Sequence, residues 1–213
     1  MKTLYSLTVV FLALFASAVH AAGDANRGKD LVAACVACHA DDGNSPSDMF
    51  PKLAGLGENY LFKQLQDIQS QQRPVPEMAG QLNGKTVQDL RDMAAFYAGQ
   101  TLQLSGASAL EVKLNSGNMV DGLALGEDLY RAGNPEYGVP ACTGCHSPRG
   151  LGNAPASYPR LGGQHAAYIE KQLKAFRSGD RVNDGEAMTM RSISRGLSDA
   201  EIKALSAYVA GLN

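Results

Sequence analysis

Apolar positions along most of the chain fall at helical spacing. Leu61, Leu65 and Ile68 line one face of Tyr60–Ser70, and Leu90, Met93, Ala94 and Tyr97 line one face of Val87–Ala98. Asp199–Ala210 predicts a further helix, opened by Ser198 as N-cap with Glu201 three residues on. Gly28–Ala37 and Gly126–Arg131 read as shorter opening helices. No run alternates cleanly enough to predict a strand, so the expected fold class is all-α. The first 21 residues stand apart. Lys2 is followed by an apolar run from Leu4 to Val19 and then by small residues, which predicts a signal peptide (1–21) cleaved after Ala21. A spanning helix would need roughly 20 apolar residues.

The pattern repeats. FPKLAG (Phe50–Gly55) returns as YPRLGG (Tyr158–Gly163), and YLFKQLQDIQS (Tyr60–Ser70) as YIEKQLKAFRS (Tyr168–Ser178), both 108 residues on. AFYAG (Ala95–Gly99) returns as AYVAG (Ala207–Gly211) 112 residues on, and Gly28 pairs with Gly126 near the start of each copy. Two domains follow, 22–100 and 119–213, joined by a linker over 101–118 for which some local helix is expected. Domains this small bury little surface and call for a staple.

Charge narrows the partners. Residues 22–100 carry 7 basic and 10 acidic side chains, whereas 119–213 carry 10 of each. No basic stripe is present, which argues against nucleic acid. Arg149, Arg160, Arg191 and Arg195 cluster in the second copy, so the two domains are expected to show electrostatically different faces to their partners.

The four cysteines fall as CVACH (Cys35–His39) and CTGCH (Cys142–His146). A thioredoxin-like pair does not require the histidine. A zinc ribbon would separate its two pairs by about 15–20 residues, against 103 between Cys38 and Cys142. A disulfide inside C-x-x-C closes a tiny, strained loop. C-x-x-C-H signals covalent haem attachment instead. On a helix the two thiols and the imidazole share one face, so the thiols reach the vinyl groups of a haem while the histidine lies under its iron. Two such motifs imply two covalent haem c groups, held by Cys35, Cys38, Cys142 and Cys145, with His39 and His146 on the irons.

A sixth ligand remains to be found, and methionine raises the reduction potential. The candidates are Met49, Met78 and Met93, then Met119, Met188 and Met190. The 112-residue offset pairs Met78 with Met190, whereas Met188 faces Pro76 and Met93 faces Leu205; under the 108-residue offset of the earlier segments Met49 faces Ser157. Met78 and Met190 are therefore the expected axial ligands, and Met93 a core filler. His165 pairs with Gly57 and reads as a surface histidine at a helix start, with axial ligation or a hydrogen bond to a haem propionate as its alternatives. The carbonyls of Pro51 and Pro159 are expected to accept the second N–H of each histidine. The recurring Tyr60/Tyr168 and Arg73/Arg181 are candidates for propionate contact or for framework.

Taken together, CVACHADDGNSP, FPKLAG, YLFKQLQDI, PACTGCH, LGGQHAAY and NDGEAMTMR resemble the dihaem cytochrome c4 family over nearly the whole chain after residue 21. The resemblance implies two class I cytochrome c domains packed face to face, each haem ligated by histidine and methionine. It implies a periplasmic electron carrier, often loosely attached to the inner membrane. Such a carrier takes electrons from a quinol-oxidising cytochrome bc complex and delivers them to a haem–copper terminal oxidase of the respiratory chain. The family's ligands fall on Cys35, Cys38, His39, Met78, Cys142, Cys145, His146 and Met190. RPVPEM is shorter than the family's loop before the first methionine. With both axial positions filled the irons offer no open site, so the expectation is a carrier and not an enzyme. The alternative is the dihaem subunit of a flavocytochrome c dehydrogenase of the sulfide-oxidising type, and a dihaem peroxidase is a more distant one.

Overall fold

The computed structural model describes residues 22–213, so the expected signal peptide lies outside the described residues. Each half follows one plan. In the first, α1 (Ala25–Leu31) runs through a 3-10 turn into α2 (Val36–His39), followed by α3 (Glu58–Gln69), a 3-10 turn (Pro76–Met78) and α4 (Val87–Ala98). The second begins after a hairpin of β1 (Glu111–Lys113) and β2 (Met119–Asp121). It contains α5 (Gly122–Ala132), α6 (Thr143–His146), α7 (Ala166–Ser178), α8 (Thr189–Arg195) and α9 (Asp199–Gly211).

The first and last helices of each half cross in contact, and the paired glycines explain why. A Cβ on Gly28 would lie 2.0 Å from the Asp92 carbonyl oxygen, and one on Gly126 would lie 2.4 Å from that of Ala204. Only glycine permits that approach. The last helices start as expected. Ser198 and Glu201 form a capping box, and Thr86 with Asp89 forms its counterpart on α4. In the first half Arg27 pairs with both Asp89 and Asp92, tying α1 to α4.

Two buried tyrosines exchange places between the halves. Tyr97 on α4 and Val32 at the end of α1 fill one core; Val209 on α9 and Tyr130 on α5 fill the other. Each valine is the repeat partner of the other half's tyrosine. Swapping large and small side chains between opposed helices conserves core volume, the kind of change cores tolerate best.

The hairpin corrects the expectation of a strand-free fold and of local helix in the linker. Glu111 pairs with Asp121, Val112 with Val120 and Lys113 with Met119 in antiparallel register. The connection Asn115–Asn118 supplies the turn, with Gly117 at φ +91° and the Leu114 N–H donating to Asn118 O at 2.9 Å. Val112 is buried, and β1 packs against α9. Three-residue strands are too short to leave an alternating signature. The rest of the linker is docked as well: Ser105 N donates to Gly163 O, Gly106 N to Ala210 O, and Leu102 is buried.

Candidate haem-binding clefts

Each C-x-x-C-H motif forms one helical turn that ends on its histidine. Ala40 and Ser147, the residues after the histidines, both adopt positive φ (62° and 67°) with extended ψ. That region is almost reserved for glycine and costs non-glycine residues about 1–3 kcal/mol. The same strain in both motifs turns the chain sharply away below each histidine. His39 and His146 are 6 % and 7 % exposed, and burial pushes both imidazoles below their ordinary pKa. His39 Nδ1 lies 2.9 Å from Pro51 O, and His146 Nδ1 lies 2.9 Å from Pro159 O. These are the expected carbonyl partners, and they leave Nε2 of each ring free to face a metal.

Each motif opens onto a largely apolar cleft, of about 1020 Å³ in the first half and about 570 Å³ in the second. Proteins hold cofactors in spaces of ~300–1,000 Å³. Cys35, His39, Met78 and Met93 line the first, with Leu65, Ile68 and Leu82 beside them. Cys142, Cys145, His146 and Met190 line the second, with Ile169, Phe176 and Ile193. Met78 and Met190 thus share a cleft with the histidine of their own half. Met49 and Met119 are exposed, and Met93 is core, at 2 % exposure. Met188 is 42 % exposed and caps α8 in a left-handed conformation.

The two methionines are held differently. Met78 ends a 3-10 turn entered through Pro74 and Pro76, whose rings fix the backbone. Met190 lies in the first turn of α8, a helix the sequence pattern did not reveal. Its loop is closed by Asp184, which accepts from Arg191 N at 2.9 Å and from Arg191 Nε at 2.7 Å. Of the four arginines grouped near the second motif, Arg191 is therefore committed to Asp184, and Arg160 donates to Gly162 O at 2.9 Å. Arg149 and Arg195 remain exposed.

The clefts meet at a seam of approximate two-fold symmetry. Arg73 Nη1 donates to Gln64 at 2.9 Å, while its Nη2 crosses to the Tyr168 hydroxyl at 2.9 Å and to Gln172 at 3.1 Å. Arg181 does the same in reverse, with Gln172 at 2.7 Å, the Tyr60 hydroxyl at 3.4 Å and Gln64 at 3.0 Å. Burial would raise the Tyr60 hydroxyl, but the guanidiniums of Arg181 and Arg73 outweigh it and hold the group below its ordinary pKa. The recurring tyrosines and arginines therefore bond one another across the domains. His165 pins the same interface, its Nε2 donating to Ser45 O at 2.9 Å and its Nδ1 accepting from Ser105 Oγ at 3.0 Å.

The donor set fits a haem in each cleft. Arg73 and Arg181 are 9 % and 8 % exposed, yet among the described residues their side chains hydrogen-bond only neutral groups, because nearby Asp67 is taken by Lys63 and Asn183. Buried charge calls for a counter-charge. The propionates of groups seated in the adjoining clefts would supply it.

Two helical domains, each with a C-x-x-C-H turn under an apolar cleft, define a c-type cytochrome with two covalent haem c groups. The cytochrome c family model matches residues 25–101 and 123–213. Cytochrome c4 of Pseudomonas aeruginosa is 50 % identical over 91 % of this chain and 91 % of its own length. The crystal structure of reduced recombinant cytochrome c4 from Pseudomonas stutzeri superposes with a TM-score of 0.83 at 47 % identity, covering 90 % of this chain and 100 % of that one. The chain belongs to the cytochrome c4 family, whose members are dihaem electron carriers. A thiosulfate dehydrogenase electron acceptor from Thiomonas intermedia is 34 % identical over 84 % of this chain and 78 % of its own.

Proposed function

We propose that His39 and Met78 ligate the first iron and His146 and Met190 the second, with Cys35, Cys38, Cys142 and Cys145 as the thioether anchors. The protein then carries electrons in the periplasm from a quinol-oxidising cytochrome bc complex to a haem–copper terminal oxidase, loosely associated with the inner membrane. The observation that carries the ligand reading is that each repeat-matched methionine lines the same cleft as the histidine of its own half. When bound, each haem supplies a one-electron iron couple. The chain's own part is to hold both faces of the iron, keep water out with an apolar lining, and bring the two groups to a shared seam. The expected export agrees with this location; among the described residues no helix is long and apolar enough to cross a membrane.

An absorption spectrum with a redox titration tests this reading. Two low-spin haems with a weak far-red methionine-to-iron band are expected; an open or high-spin site overturns it. The 34 % identity to a thiosulfate dehydrogenase electron acceptor favours a second reading of the donor. Faster reduction by a thiosulfate dehydrogenase than by a cytochrome bc complex would select it.

A further inference from the structure

The two proximal histidines look equivalent until the peptide behind each is followed one bond further. Pro51 O, which receives the His39 Nδ1–H, belongs to the same peptide unit as the N–H of Lys52. That N–H does not point to its own domain. It donates to Gln164 Oε1 at 2.9 Å, and Gln164 Nε2 donates in return to Lys52 O at 2.8 Å. Gln164 Oε1 also accepts from His165 N at 3.0 Å. Its amide orientation is fixed, because Lys52 offers one donor and one acceptor and only one placement of oxygen and nitrogen meets both. Gln164 is 2 % exposed and lies in the second domain.

Among the described residues, nothing in the other half matches this. The repeat partner of Gln164 is Leu56, which has no polar side-chain atom to offer. No hydrogen bond to the Arg160 N–H, behind Pro159, is found among the described residues. Gly152 lies against that peptide instead, where a Cβ would come within 2.7 Å of Arg160 N. One proximal carbonyl is thus polarised and clamped from the opposite domain, and the other is not.

A peptide whose N–H is hydrogen-bonded carries more negative charge on its oxygen. That strengthens the bond from His39 Nδ1–H, makes the imidazole a better electron donor and favours the oxidised iron. We infer that Gln164 is a positioning residue of the first haem: from the second domain, through the Lys52 peptide, it lowers that haem's reduction potential. The inference rests on His39 being the axial ligand.

The test is spectroelectrochemistry of the intact two-haem protein, with the haem signals assigned by NMR. Gln164→Met should raise the first haem's potential and leave the second's unchanged. An about threefold shift in the oxidised-to-reduced ratio is expected, ~30 mV for a one-electron couple. The His39 Nδ1–H and Lys52 amide resonances should move together. Gln164→Glu keeps an acceptor, now charged, facing the Lys52 N–H, and should lower the potential. His165→Ala removes the bonds to Ser45 and Ser105 but leaves Gln164 in place, and should shift neither haem. The inference is overturned if Gln164→Met moves both haems alike or neither, if Gln164→Glu raises the potential, or if His165→Ala reproduces the shift. A wild-type spectrum without a haem-shifted His39 Nδ1–H would sink the ligand assignment instead, so the two failures are distinguishable.

Discussion

The two clefts solve the same chemical problem with different supports. In the first half a pair of prolines frames Met78, and the neighbouring Glu77 makes an exposed ion pair with Lys171 of the second half at 3.3 Å. In the second, a loop four residues longer carries Met190 into α8 and is closed by Asp184 and Arg191. The large aromatic of the core comes from the last helix in one half and from the first helix in the other. Among the described residues, only the first proximal peptide is bonded from across the interface. A duplicated domain thus keeps the groups that face the haem and varies what holds them. With the proposed ligands, two chemically matched irons would sit in unequal surroundings, which gives the two potentials a physical reason to differ.

The strongest break of this comparison removes a methionine. Met78→Ala and Met190→Ala should each lower the potential of one haem, on the order of 100 mV, out of the ~0.8 V that axial ligands span. Each should halve the far-red band. Met188→Ala, at an exposed cap, should leave both haems alone. Redox titration with absorption at the far-red band checks all three. If Met188→Ala behaves as Met190→Ala should, the second copy is aligned two residues out.

Much of this was legible in the sequence because it is local or repeated. Val87–Ala98 and Asp199–Gly211 form where apolar spacing and capping residues place them. The matched glycines mark the helix crossings, and the offset of AFYAG against AYVAG selects Met190 over Met188. What periodicity does not carry is contact between distant segments. The bond from Gln164 to Lys52 spans 112 residues, and the Arg73–Tyr168 contact spans 95. They form only when the domains dock. Tyr60, Arg73 and their partners were visible as recurring residues, but recurrence cannot say that they meet one another. The hairpin was hidden by its shortness, although Asn-Ser-Gly-Asn carries turn chemistry that marks it.

A smaller effect separates the two methionine loops. Asp184→Ala should loosen the Met190 loop and cost about 2 kcal/mol, the scale of hydrogen bonds to a charged group, while Met78 keeps its band. Denaturant unfolding together with the far-red band reads both. For the wild-type carboxyl, burial pushes the pKa up, but the Arg191 N–H and guanidinium outweigh it, so it lies below its ordinary value of 3.8. A lowered folded pKa stabilises the folded protein above that ordinary value, and the contribution is lost as pH falls through the lowered one. The clamp should therefore hold at neutral pH and fail only in acid, below about pH 4. A midpoint near neutrality, or equal loss at both methionines, would mean that Asp184 does not distinguish the loops.

The least expected effect, and the finest test of the exchange of aromatics, concerns two hydroxyls. Tyr130 donates to Ser147 O at 2.7 Å, fixing the strained residue just after His146. The Tyr97 hydroxyl is buried beside the Cys35 sulfur, a weak partner, and makes no hydrogen bond of normal geometry among the described residues. Tyr130→Phe should cost about 1 kcal/mol, the net worth of a hydrogen bond, and leave the Ser147 carbonyl unpaired. Tyr97→Phe removes a desolvated hydroxyl that gains little from the Cys35 sulfur, so it should be neutral or stabilising by up to about 1 kcal/mol. Paired urea unfolding curves with unchanged slopes would show a lowered midpoint for Tyr130→Phe and an unchanged or raised one for Tyr97→Phe. Shifts of the same sign and size would mean that the two tyrosines are equivalent after all, and that the exchange between helices moved the hydroxyl's role along with the ring.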